Sequence, residues 1–390
     1  MKLCIKIGQA IFIQGDSWQD CQVVFVRMVG FDFGNIFNVE FNRDTQAQIV
    51  QWVGAAMEKS EMLALVNEKR AFFISLGVVV FLACMYGILG STRWADAPIE
   101  SATKFCEGIS DGLVKEPMNT LSNLTYVFAG LLILWCMPTS NEAPENPMLG
   151  QGMYPILFAT GSMYIGIGSF AMHGTNTNWG TVMDWTGMLF FISFPVYYNL
   201  ARQYQWSDRF FATVFFTVFA LTAILDTYAS SNNIVLIENF SDGRKLRLQG
   251  LTRDYLWSLY IGVWIIQEAK NLSRNQLGWM VALPLIACVT LSVGVPTMQI
   301  VILCALFIGI AYALHANPGQ MLVRTPKPYL WIAVACYVVA NIVWRFGHDG
   351  EAACNPDSLF QFHALWHVLT GVSVYYFFRY FATETSAEEF

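Results

Sequence analysis

The chain has 390 residues, of which 55% are hydrophobic and 15% aromatic, and only 13% are charged. Soluble domains carry about 25% charged residues, so a soluble protein of this composition would leave large apolar patches in water, and a membrane protein is the better class. The net charge of −6 contains no basic tract, which argues against nucleic acid as a partner.

Residues 1–70 form an N-terminal extension of unassigned role. A short alternating stretch runs from Lys2 to Ile13, and an amphipathic helix is expected from Thr45 to Arg70. No cleavable signal peptide is expected, since Met1 is followed by a mixed segment without a long apolar run. A short charged lead and then an apolar span follow Met62, so residues 1–61 read as an accessory or mis-assigned leader.

Apolar spans follow at 71–90, 119–137, 154–173, 183–200, 210–226, 278–294, 298–316, 328–346 and 363–382. Each is close to the ~20 residues needed to cross a bilayer. Span 71–90 is an additional helix ahead of the rest. A tenth candidate, Tyr255–Ile266, is short and would be interfacial by hydropathy alone. If His173 and His363 meet, an even number of crossings must separate them. Either 253–269 crosses with tilt, or 278–316 makes one crossing only. Ten spans is the preferred reading, with Pro296 turning the chain between 294 and 298. The loops 91–118, 227–252 and 347–362 then share the face of the histidines. Basic residues slightly favour the opposite face, which leans toward a histidine site facing the periplasm or a lumen. There is no internal repeat and no low-complexity tract.

The chemistry gathers in few residues. The chain has five histidines. His363 and His367 are four apart on an expected helix and share one face, the spacing by which one helix presents two imidazoles to one metal. His173 ends another span on the same inferred face. Three histidines with an open fourth position are the ligand set of a catalytic zinc. The alternative is that each histidine only hydrogen-bonds in a polar cavity. The segment His363-Ala364-Leu365-Trp366-His367 lacks the glutamate that serves as base in HExxH peptidases. Asp184 is the candidate base; otherwise it is a helix N-terminal acid favoured by the macrodipole. Ser169, one turn before His173, either hydrogen-bonds a developing oxyanion or back-bonds within its helix. Upstream, Glu107, Asp111, Glu116 and Asn119 cluster before a span. Such hard oxygens suit a second metal, calcium. A solvated acidic loop with Asn119 or Thr120 as helix cap is an equal reading. Arg345 meets a lipid headgroup or snorkels.

These stretches, read together as CE…EPxNTxSN, then SxxxH-x10-D, then a late C…HAxWH, resemble the alkaline ceramidase branch of the seven-helix membrane hydrolases, a superfamily that also includes the progestin/adiponectin-type receptors. The resemblance covers about residues 104–382. It implies an all-α polytopic transmembrane bundle with a seven-helix hydrolase-like core and extra spans, occupying 91–390. It implies Zn(2+) on His173, His363 and His367, with Ser169 and Asp184 assisting hydrolysis of an amide in a ceramide-like membrane lipid. It also implies a disulfide between Cys106 and Cys354, and with it an oxidising compartment. The family's acidic calcium motif is Asp-Trp-Cys-Glu, whereas this chain reads Lys104-Phe105-Cys106-Glu107, with lysine in place of the aspartate. Cys84, Cys136, Cys288, Cys304 and Cys336 lie in apolar runs and are expected to pack. Two other readings stand beside the hydrolase: a non-catalytic receptor or lipid-binding protein with structural zinc, and a transporter that relays protons through the histidines.

Overall fold

The computed structural model describes residues 4–7, 10–13, 23–24, 67–94, 105–138, 145–232, 234–237, 246–248, 253, 256–273, 275–276, 278–279 and 323–385. The expected span 298–316, nearly all of the span 278–294, and most of the helix expected from Thr45 to Arg70 lie outside them. The described helices are α1 (Arg70–Arg93), α2 (Pro117–Ser122), α3 (Leu124–Cys136), α4 (Met153–Thr175), α5 (Asn178–Gln203), α6 (Asp208–Asn232), α7 (Leu256–Glu268), α8 (Tyr329–Phe346) and α9 (Phe362–Phe381). Among the described residues the β structure is confined to short antiparallel pairings, Cys4–Ile7 with Ala10–Ile13, Ala10–Ile13 with Val23–Val24, and Val235–Ile237 with Leu246–Arg247. The class is all-α.

Among the described residues, five stretches are long and apolar enough to cross a membrane: Arg70–Gly90, Pro117–Cys136, Met153–Thr175, Asp208–Asn232 and Tyr329–Phe346. The chain is a multi-pass membrane protein. Helices α5 and α9 are as long, at 26 and 20 residues. They are less apolar because they carry Asp184, Asn199 and Arg202, and His363, His367 and Arg379. Such residues face the interior of a bundle, where partners compensate their desolvation. The outward faces show the complementary pattern. Ile74, Val78, Phe81 and Ile88 of α1, and Leu221, Ile224 and Tyr228 of α6, are exposed, as suits contact with acyl chains.

Successive helices alternate in direction. Lys69 donates to the Met137 carbonyl at 2.7 Å and Tyr86 to the Leu113 carbonyl at 3.0 Å, which fixes α1 beside the α2–α3 span. Two glycines let α4 and α5 pack at backbone distance. A Cβ on Gly168 would come within 2.5 Å of the Met183 carbonyl oxygen, and one on Gly180 within 2.8 Å of that of Ala171. Asn176 ends α4 in the left-handed region, at φ 51°, which asparagine tolerates. The chain thereby turns straight into α5, and Ser169 and Asp184 face each other across this hairpin. Below them the core is aromatic: Phe158, Phe194, Tyr198, Phe211, Phe215, Phe378 and Phe381 are all essentially buried.

Helix α7 has only 13 residues. It nevertheless links the two rims. Arg253, just before it, forms a bidentate pair with Asp226 near the end of α6, at 2.9 and 3.0 Å. Glu268, at its end, lies at the opposite rim in a buried network with Arg324, Glu384, Asn199 and Tyr380. The Arg324 amide also donates to Asn271 at 3.1 Å, so residues 271 and 324 meet at this rim.

At the other rim, residues 105–116 form a strap over the helix ends. The Cys106 amide donates to Gly347 at 2.9 Å, Gly108 to Pro356 at 3.1 Å, Lys115 to Gly174 at 2.9 Å and Glu116 to His173 at 3.1 Å. A disulfide joins Cys106 to Cys354 across 248 positions, with Cα atoms 5.4 Å apart. Cys136 is disulfide-bonded too, where packing alone was expected. Arg345 forms an ion pair with Glu351 rather than simply snorkelling.

Candidate metal centre

His173 lies in the last turn of α4, and His363 and His367 lie in the first two turns of α9. All three are buried, with 1%, 4% and 1% exposure. One ligand nitrogen from each falls within 4.8 Å of the others. The Nε2 atoms of His173 and His363 are 3.2 Å apart. Three buried, converging imidazole nitrogens suit a zinc ion with a free fourth position.

Each ring is held differently. The outer nitrogen of His173, Nδ1, lies 2.6 Å from Glu116 Oε2. A carboxylate only accepts, so Nδ1 carries the proton and Nε2 points its lone pair inward. His367 Nδ1 lies 2.8 Å from Ser122 Oγ, whose own proton goes to the Asn119 carbonyl at 2.8 Å. His367 therefore donates from Nδ1 and also turns Nε2 inward. His363 has no hydrogen-bond partner on Nδ1 among the described residues. Its ring lies between two aromatics: Phe105 stacks on it with centroids 3.5 Å apart, and Trp366 lies nearly parallel at 5.4 Å.

Ser169 Oγ is 3.4 Å from His367 Nε2, and its side chain is directed at the histidines. Asp184 is buried and lies within the field of His173, beside Ser169. It sits in the second turn of α5, and Thr177 caps that helix by accepting from the Gly180 amide. The helix dipole acts mainly on the first turn, so it does not account for this acid.

The upstream acids divide. Asp111 is exposed in a turn of the strap. Glu107 accepts the Met118 and Asn119 amides at 2.6 and 2.7 Å. It therefore caps α2, the role expected of Asn119 or Thr120, which lie inside the helix. Burial pushes the Glu107 carboxyl above its usual range, and the two amides oppose that. Glu116 is fully buried and receives Asn119 Nδ2 and Asn176 Nδ2, at 3.0 and 3.3 Å, as well as His173.

Glu116, Ser122, Phe105 and Trp366 were not assigned these holding roles by the sequence. The available signals were polar residues at the mouth of an apolar span and a tryptophan inside the histidine motif.

Residues 97–240 match the family model named Ceramidase. The matched region contains Glu107, Glu116, Ser122, Ser169, His173 and Asp184 but ends well before α9. His363 and His367 reach it through the tertiary fold alone. No curated protein matches the chain.

Proposed function

We propose that this protein is a zinc-dependent amide hydrolase of the membrane, acting on a ceramide or related N-acyl lipid. The observation that supports it best is the convergence of His173, inside the ceramidase region, on His363 and His367, about half a chain away, with Ser169 and Asp184 at the same point. Zinc bound to the three histidines would supply Lewis acidity and a water acidified to about pKa 7. The chain's own residues supply the rest. Asp184 accepts the proton released on attack and returns it to the leaving amine. Ser169 Oγ donates to the oxygen that becomes negative in the transition state. The strap and its disulfide hold Phe105 and Glu116 against the histidines. The acyl chain lies along the aromatic helices of the core.

The histidine rim is proposed to face the periplasm or a lumen. Disulfide-bonded cysteines occur at Cys136 as well as at Cys106 and Cys354, so the assignment rests on the distribution of basic residues. In sealed membrane vesicles with the cytoplasmic face outward, an Asp111→Cys variant should resist a membrane-impermeant maleimide and react once the vesicles are opened. Labelling of the sealed vesicles reverses the orientation.

The deciding experiment measures metal content and turnover of a labelled ceramide on detergent-purified protein, wild type against His367→Ala. About one zinc per chain, and turnover lost in a folded variant, are expected. Stoichiometric zinc without turnover on any lipid amide favours a receptor. Intact histidines without stoichiometric metal favour a proton relay.

A further inference from the structure

We infer that Glu116 is the positioning residue of the metal centre and serves His173 rather than a second cation; this deepens the zinc reading above and rests on it. Two contacts tie the residues together. The side chains meet at 2.6 Å between Glu116 Oε2 and His173 Nδ1, and the Glu116 amide donates to the His173 carbonyl at 3.1 Å. Side chain and main chain thus hold the same pair, fixing both the ring and the end of α4 that carries it. Two further contacts hold the carboxylate itself. Asn119 Nδ2 of α2 binds Oε2, and Asn176 Nδ2, just past α4, binds Oε1.

A carboxylate on the outer nitrogen of a metal-binding imidazole selects the tautomer and raises the basicity of the inner nitrogen. Glu116 does so from full burial, where charge-assisted hydrogen bonds are roughly twice as strong as neutral ones. Ser122 offers His367 the same geometry through a neutral oxygen, so the centre contains its own weaker comparison. A hard cation would need open lone pairs on these oxygens, each of which has two. Oε2 of Glu116 already faces two donors, Asn119 Nδ2 and His173 Nδ1, and Asn176 Nδ2 approaches Oε1, while the Met118 and Asn119 amides each take one site on Glu107. Asp111, the third acid, is exposed.

The test uses full-length protein in detergent, with Glu116→Gln, Glu116→Asp and Ser122→Ala. Zinc affinity is read by chelator competition, and melting temperature is read on metal-stripped and zinc-loaded samples. Glu116→Gln should lower zinc affinity ~10- to 100-fold, with kcat falling more than KM rises. The metal-stripped protein should melt near the wild-type temperature. Ser122→Ala should lose less affinity, and Glu116→Asp, which keeps the charge but shortens its reach, should fall between. If Glu116→Gln does not fold, the Asp variant carries the same comparison. Unchanged zinc affinity with equal melting losses in both samples would make Glu116 merely structural and overturn the inference. So would calcium that raises the melting temperature of wild type but not of Glu116→Gln. Wild-type protein that takes up no zinc defeats the zinc reading itself, and this is seen before any variant is compared.

Discussion

Phe105 lies almost flat against His363, with ring centroids 3.5 Å apart and planes 19° from parallel. Of the three histidines, this one has aromatic rings rather than a hydrogen bond at its outer nitrogen among the described residues. Aromatic pairs contribute ~0.5–1.5 kcal/mol beyond burial. Phe105→Leu should therefore speed zinc loss to a chelator by ~2- to 10-fold, while Phe105→Tyr should behave as wild type. Equal loss rates for Leu and wild type would show that the stack does not hold the ring.

Asp184 lies beside Ser169 and within the field of His173 without being one of the three imidazoles. Asp184→Asn should keep zinc and fold, yet lose ~10²- to 10⁴-fold in turnover, the usual contribution of a positioned acid–base group. Loss of zinc together with activity would instead mark Asp184 as a ligand or a structural support.

The Cys106–Cys354 bond ties the strap that carries Phe105 and Glu116 to the loop before α9. Replacing both cysteines with serine should lower the melting temperature, in line with the ~2–5 kcal/mol of a native disulfide in small domains. Zinc should also exchange faster, since both holding residues are loosened. Non-reducing peptide mapping should recover the linked pair; two free thiols would remove the basis of the effect.

At the far rim, Arg324 is buried between Glu268 and Glu384. Breaking such a network by removing one member strands the others and costs about 3–5 kcal/mol. Arg324→Ala should melt well below wild type. Adding Glu268→Gln and Glu384→Gln should restore part of the loss, because no unpaired anion then remains. Zinc stoichiometry in the surviving folded fraction should not change, since the network lies a bundle length from the histidines.

Metal binding requires neutral imidazoles. Protons compete with the metal for the same three nitrogens, so lowering the pH should release zinc, and raising it again should restore binding. Titration with a zinc-sensitive dye at stepped pH checks this; zinc held unchanged down to the acid unfolding of the protein would contradict it.

Local patterns in the sequence were enough for much of this molecule. Composition required a bilayer, and hydropathy placed most of the described spans within a few residues, because a helix in lipid must satisfy its own backbone and shield it with apolar side chains. The four-residue spacing of His363 and His367 needed nothing beyond helical geometry. The spacing to Ser169 and Asp184 was legible for the same reason, since a tight hairpin joins α4 and α5. Helix α7 was harder. Its 13 apolar residues are ambiguous by length, and only the ion pairs at its two ends, Arg253 with Asp226 and Glu268 with Arg324, show where it lies.

The acidic loop was ambiguous for a deeper reason. Glu107 and Glu116 read equally well as cation ligands or as solvated acids, because a carboxylate carries no local mark of its partner. That partner is 57 positions away for Glu116, and the two histidines of α9 lie beyond the ceramidase region altogether. Amphipathicity and spacing repeat along one helix and can be counted there. Which helices become neighbours is set by packing, by the strap and by buried charge pairs between distant segments, and so the assembly of the metal centre belongs to the tertiary structure.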